Sequence, residues 1–311
     1  MRRSGSGYGC GVDEQRKGAI FGAAAYLLWG AFPLYWPLLA PAKPVEILAH
    51  RIAWSLLVIG AILLIRRGVS WIRDLGGRRL RLLSLAALII SANWGTYIYG
   101  VNNGFVVETS LGYFINPLVT VMFGVLLLGE RLRRAQWIAI TIAAIAVTVL
   151  TLDYGRPPWI AIILAFSFGT YGLLKKQAGV GAVESLAVET AVLFVPAVTF
   201  LFVYGARGEG TFMNAGWDHA ALLATTGVVS VIPLLFFGAA AIRVPLTTIG
   251  LLQYLAPILQ FLIGVAVRHE EMPASRWAGF VMVWIALIVL TVDALHGARK
   301  RQLARAAESV A

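Results

Sequence analysis

Ten apolar runs dominate this chain: Gly18–Leu38, Glu46–Ile65, Leu80–Val101, Ser110–Leu128, Trp137–Leu152, Trp159–Leu174, Ser185–Tyr204, Ala220–Ala241, Thr247–Val267 and Trp277–Leu295. A helix needs about 20 apolar residues to cross the hydrocarbon core of a bilayer. Eight runs meet that length, and the fifth and sixth fall a little short. The gaps hold proline, glycine and charge, as in Pro41-Ala42-Lys43-Pro44, Arg66-Arg67-Gly68, Gly76-Gly77-Arg78-Arg79, Gly129-Glu130-Arg131 and Arg156-Pro157-Pro158. Such clusters signal loops. The runs are continuously apolar and lack the period-2 alternation of a membrane barrel. The expected fold class is therefore an all-α integral membrane protein with ten transmembrane helices.

Composition agrees. Hydrophobic residues make up 59% of the 311, and charged residues only 13%, about half the usual share in a soluble domain. A compact soluble protein has no way to hide so much apolar surface, which excludes a soluble enzyme and a secreted disulfide scaffold. The net charge of +11 would suggest nucleic acid only if the basic residues clustered on one folded surface. They sit instead in the short gaps, as topogenic charges do. The one cysteine, Cys10, lies in a Gly/Ser-rich head and has no intrachain partner. No cleavable signal peptide is evident, and residues 1–16 read as a disordered cytoplasmic head.

With ten spans and the N-terminus inside, twenty of the 26 Lys and Arg residues fall on the inner side, Arg81 at the inner edge of the third run among them, five on the outer side, and Arg51 alone deep inside a span. The positive-inside rule then places both chain ends in the cytoplasm.

The chain also repeats. At a constant offset of 140, Ser110 onward matches Gly250 onward: Asn116-Pro117 falls on Ala256-Pro257, Gly124 on Gly264, Glu130 on Glu270 and Trp137 on Trp277. The earlier helices match more loosely, with Trp29-Gly30 against Tyr171-Gly172 and Glu46-x-Leu48-Ala49 against Glu184-x-Leu186-Ala187. Two five-helix repeats follow, over residues 17–153 and 157–296, with a basic cytoplasmic tail at 297–311. Five is odd, so the second repeat enters the membrane inverted. Inverted repeats are typical of secondary transporters with a site near the midplane.

Several stretches resemble the EamA family of the drug/metabolite transporter superfamily. They include Glu46-Ile47-Leu48-Ala49-His50-Arg51-Ile52-Ala53-Trp54-Ser55, Asn93-Trp94, Val101-Asn102-Asn103, Glu108-Thr109-Ser110-Leu111-Gly112-Tyr113-Phe114-Ile115-Asn116-Pro117-Leu118 and Leu128-Gly129-Glu130-Arg131. In the second repeat they include Leu164-Ala165-Phe166-Ser167-Phe168, Tyr171-Gly172-Leu173, Glu189-Thr190, Pro233-Leu234-Leu235 and Gln253-Tyr254. The resemblance runs from about Lys17 to Asp293 and implies a ten-helix permease of the inner membrane. The Gly/Ser head and basic tail depart from it.

Charge inside a membrane costs about 2.5–3.5 kcal/mol per residue on insertion scales and calls for a reason. Arg51 either snorkels to the outer interface, anchors a substrate carboxylate or phosphate, or forms a fixed ion pair lining a cavity. Glu108, at the start of the fourth helix on the same side, is its expected partner. His50 points about 100° away from Arg51 and is a candidate for proton coupling or an interfacial histidine. Glu189 lies near the opposite face, too far in depth for a direct bond to Arg51. It is expected to pair with Lys175, Lys176 or Arg243, or to carry a coupling proton. Asn93, Trp94, Asn102, Tyr113, Asn116, Gln253 and Tyr254 are candidates for ligand contact or for helix–helix hydrogen bonding. Trp29, Trp94, Tyr97 and Tyr171 are candidates for an aromatic cavity lining. Pro117 and Pro257 each remove a backbone donor and are candidates for hinges or packing kinks.

No Gly-x-x-x-x-Gly-Lys-Ser/Thr or His-Glu-x-x-His pattern is present, so neither an enzyme nor a resident cofactor or metal is expected. The expected partners are the lipid bilayer and a small-molecule solute, with no nucleic acid. Proton or sodium coupling and the oligomeric state stay open. The reading is a permease of a small amphipathic or zwitterionic solute, working by alternating access between its two halves. The alternative is a non-transport membrane protein, either a lipid-handling enzyme or a sensor.

Overall fold

The computed structural model describes residues 7–65, 75–128 and 132–308, which are helical with short links. Ten helical stretches among them are long and apolar enough to cross a membrane. The first crossing is α1 (Gly7–Gly30), continued by α2 (Phe32–Tyr35) and a 3-10 turn (Trp36–Leu39). Pro33 and Pro37 stand at the starts of those two short pieces; each lacks an N–H, so the hydrogen-bond ladder is interrupted there. Next come α3 (Pro44–Ile65), α4 (Gly77–Asn102), α5 (Val106–Leu128) and α6 (Arg134–Tyr154). The second repeat holds α7 (Trp159–Ala178), α8 (Ala182–Ala206) and α9 (Trp217–Ala241). Its fourth crossing is broken into α10 (Leu246–Leu252), α11 (Leu255–Leu262) and a π turn (Ile263–Val267), and α12 (Ala274–Glu308) is the last.

Every expected span coincides with one of these crossings. The two that seemed short complete 21 and 20 residues of helix. The helices also run beyond the expected ends. α1 starts at Gly7, inside the segment read as a disordered head, and α12 continues through most of the basic tail. Residues 1–6, and the Arg66-Arg67-Gly68 and Gly129-Glu130-Arg131 loop signals, lie outside the described residues.

The packing follows an inverted two-fold plan. α7 packs chiefly on α4 and α5, and its repeat mate α1 packs on α9 and on α10–α11. α3 lies along α8, and α6 along α12. The first helix of each repeat thus seats in the other repeat, so the repeats interlock and are not two separate bundles. Glycine permits the tightest crossings. A Cβ on Gly227 of α9 would lie 2.5 Å from the Trp54 carbonyl carbon of α3, and one on Gly112 of α5 would lie 2.8 Å from the Ala161 carbonyl oxygen of α7. Small residues let membrane helices approach this closely.

With ten crossings among the described residues, α1 begins and α12 ends on one face, here the terminal face. The opposite, far face carries the links around residues 40–43, 103–105, 155–158, 207–216 and 268–273.

Candidate functional site

Arg51 sits in α3, seven residues from its far-face end, so roughly 10 Å deep at 1.5 Å per residue. It is 3% exposed. Its guanidinium carbon lies 4.1 Å from the Trp94 ring centroid, 5.3 Å from Trp36 and 5.9 Å from Phe32. The phenols of Tyr113, Tyr97 and Tyr35 are close enough to act on its charge. Among the described residues it makes no hydrogen bond and no ion pair, and its Nε is buried without an acceptor. Tyr113 donates to Asn93 Oδ1 at 3.3 Å; Asn93 Nδ2 donates to the Leu164 carbonyl at 3.1 Å and to Ser167 at 2.9 Å. One buried layer therefore gathers Arg51, Trp94, Tyr113 and Asn93 from α3, α4 and α5, and ties them to α7.

Glu108 belongs elsewhere, which corrects the expected Arg51–Glu108 pair. Its carboxylate, 1% exposed, accepts from Arg156 Nη2 at 2.8 Å, from Arg156 Nη1 at 3.3 Å and from the Ile160 backbone N–H at 3.1 Å. The two residues lie toward the same face, but a shared face leaves open which neighbour a side chain meets. Arg156, in the link just before α7, reaches Glu108 directly, and this bond holds its guanidinium above the usual arginine range.

Glu189 is fully buried in α8. It accepts from Lys175 at 2.9 Å, from Ser185 at 2.6 Å and from the Tyr171 hydroxyl at 3.0 Å. Of its three candidate cations, Lys175 is the one bonded to it. The cluster lies toward the terminal face, within the second repeat.

His50 faces away from Arg51. Its ring packs on Phe212 at 4.7 Å between centroids, and its Nε2 is buried without a partner. One turn earlier, Glu46 accepts from the Thr211 N–H at 2.6 Å, the Thr211 hydroxyl at 3.0 Å and the Phe212 N–H at 3.3 Å. Thr211 also meets His219 Nε2 at 2.8 Å. The 207–216 link is thereby pinned onto the first repeat.

The remaining candidates scatter. Asn102 Oδ1 and Asn116 Oδ1 are buried without partners. Tyr254 meets Thr291 at 3.4 Å, and the Gln253 side chain bonds to no described residue. Pro117 lies inside the unbroken α5, whereas Pro257 follows the Gln253–Tyr254 break between α10 and α11. The repeat mates thus differ in form. Tyr254 also lines an apolar groove of about 640 Å³ with Phe114, Trp284 and Ile288. None of the charged candidates borders that groove.

Trp36, Glu46, His219 and Arg156 escaped the sequence reading. Trp36 lies just inside the end of the first expected span but was not singled out, and Arg156 counted only as a loop charge. Glu270, set aside as a repeat match, accepts from the Val106 N–H at 2.5 Å and the Val107 N–H at 2.9 Å, capping α5 from the other repeat. Burial raises its carboxyl above the usual range, against the opposing pull of those two bonds. Among the described residues no cluster of His, Cys, Asp and Glu suits a metal ion.

This interlocked pair of inverted repeats around a buried polar layer defines a ten-helix membrane permease. Residues 16–152 and 157–292 each match the EamA-like transporter family, and the chain belongs to that family. It is 59% identical to Protein RarD of Streptomyces exfoliatus over 93% of this chain and 92% of that one. It is 41% identical to an uncharacterized transporter of Pseudomonas aeruginosa, covering 92% and 96%. It is 28% identical to the Chloramphenicol-sensitive protein RarD of the same species, covering 92% and 97%. A solved crystal structure shares the fold, with a TM-score of 0.57 and 19% identity over 88% of this chain and 97% of that one. The chain is a multi-pass membrane protein, and its relatives named as transporters place it in a non-enzyme transporter family.

Proposed function

We propose that this permease moves a small organic solute by alternating access, with the layer around Arg51 as its binding site. The observation that carries the reading is an arginine buried within a membrane span with no protein counter-ion among the described residues. Intramembrane charge of that kind marks a pathway, and inverted repeats hold their site between them. Arg51 contacts the solute, while Trp94, Tyr113 and Asn93 shape the site. Glu108 serves as part of a far-face lock, the role its geometry favours over orienting Arg51. Glu189 serves the terminal-face gate or a proton or sodium coupling step. Because α1 and α7 each seat in the opposite repeat, the moving units are sets of helices drawn from both repeats.

The Lys and Arg bias supports a cytoplasmic terminal face and residence in the inner membrane, and no enzymatic step is assigned. The name of the Pseudomonas relative makes chloramphenicol a solute to include in a first panel. In proteoliposomes, solute flux is expected under a proton or sodium gradient. Arg51→Ala and Glu189→Ala should insert normally and lose it. Wild-type rates in both variants would sink the site assignment.

A further inference from the structure

We propose that the solute is an organic carboxylate, held by the guanidinium edge of Arg51 with the Trp36 indole N–H and the Tyr97 hydroxyl as further donors. This rests on the permease reading above and names the chemistry of the same site.

Three observations carry it. First, Arg51 is buried and charged, yet no carboxylate among the described residues bonds to it: Glu108 pairs with Arg156, Glu189 with Lys175, and Glu46 holds Thr211 and Phe212 through its Oε1. A buried charge is normally paired, and cation–π contact with Trp94, Trp36 and Phe32 offsets only part of its lost hydration. Second, the unsatisfied groups here are donors. Arg51 Nε, Trp36 Nε1 and Tyr97 Oη are all buried with no partner; the Trp36 ring lies 5.3 Å from the guanidinium, and the Tyr97 phenol is close enough to act on its charge. The nearby acceptor, Asn93 Oδ1, is already taken by Tyr113. A positive cluster of spare donors selects an anion, and the Arg51 charge repels an ammonium. Third, the guanidinium lies over the Trp94 face at 4.1 Å, which leaves its edge as the binding surface. A carboxylate fits that edge with two parallel hydrogen bonds in the guanidinium plane. A phosphate can make the same two bonds, but it brings a second negative charge into a pocket that holds one cation. The surrounding aromatic walls suit an apolar body behind the head group.

The test uses purified full-length protein in nanodiscs and a series sharing one body: phenylacetate, phenylacetamide, phenethylamine and phenyl phosphate, with acetate and benzoate as further carboxylates. Binding is read by tryptophan fluorescence and by melting temperature. Phenylacetate is expected to bind about tenfold or more tighter than the amide, amine or phosphate, as loss of a charge-assisted hydrogen bond implies. Arg51→Gln should abolish that preference and, without ligand, melt no lower than wild type, because it removes an unpaired buried charge. A purely structural arginine would lower the melting temperature instead. Arg51→Lys, which keeps the charge but not the fork, should lose most of the preference. The proposal is overturned if no carboxylate binds, if the amide, amine or phosphate binds as well as phenylacetate, or if Arg51→Gln keeps the preference. Flux is measured separately. Movement of solutes without carboxylate binding would defeat this inference and leave the permease standing. Carboxylate binding without movement would do the reverse.

Discussion

At the far face, Glu46, Glu108, Asp153 and Glu270 each reach from one repeat into the other. Their partners are backbone N–H groups, short hydroxyl donors and two arginines, and the carboxylates are buried or half-buried. At the terminal face, the repeats are tied by Arg133–Asp293 at 3.1 Å and Arg243–Glu14 at 3.0 Å, where Arg133 is 48% and Glu14 46% exposed. The buried pair on that side, Lys175–Glu189, stays inside one repeat. Exposed ion pairs contribute about 0–1 kcal/mol, whereas stripping a buried group of its partner costs about 1–3 kcal/mol or more. An inverted repeat would make its two faces alike if the sequences matched. They diverge in their carboxylates, and the result is a molecule sealed at one face and lightly fastened at the other.

The contrast can be broken in graded steps. Glu108→Ala orphans the Ile160 N–H and leaves Arg156 unpaired; a loss of about 3 kcal/mol is expected in detergent unfolding, together with faster thiol labelling of a cysteine placed at Asn102. Unchanged labelling would mean that Glu108 holds no lock. Glu189→Ala leaves Lys175, Ser185 and Tyr171 without their acceptor, for about 2 kcal/mol, and should leave far-face labelling as in wild type because its bonds do not cross between repeats.

Glu270→Ala uncaps α5 at a cost of about 1 kcal/mol. Glu270→Gln tests its titration. The folded carboxyl binds its proton more tightly than the unfolded one, so its stabilising contribution is present below the ordinary carboxylate pKa and is lost as pH rises through the raised value. From about pH 4 to about pH 7, wild-type melting temperature should therefore fall relative to Glu270→Gln; a parallel course for the two proteins counts against the raised value. Arg133→Ala should cost less than about 1 kcal/mol and fade further in high salt. A loss as large as that of Glu108→Ala would erase the difference between the faces.

Much of this was legible beforehand. Ten apolar runs, the offset of 140 residues and the Lys and Arg bias follow from lipid as solvent, which acts on one segment at a time. Arg51 and Glu189 stood out for the same reason, since a charge in an apolar run is visible without any neighbour. Pairings were not legible. Glu108 is matched to Arg51 by sharing its side of the membrane, but helix azimuth belongs to packing, and packing gives Glu108 to Arg156. Trp36 carried no signal of its own, because only the break at Pro33 and Pro37 turns it toward Arg51. Glu46 enters the sequence only as part of a repeat match, and its role follows from the 207–216 link of the other repeat laid across it. The sequence by itself determined the membrane class, the crossings and the duplication, because hydropathy is a local property summed along the chain. The tertiary structure alone decided which repeat each first helix seats in, which face is sealed, and that Arg51 is left without a counter-ion, because each of these depends on contacts between segments distant in the chain, as between Glu46 and Thr211, 165 residues apart.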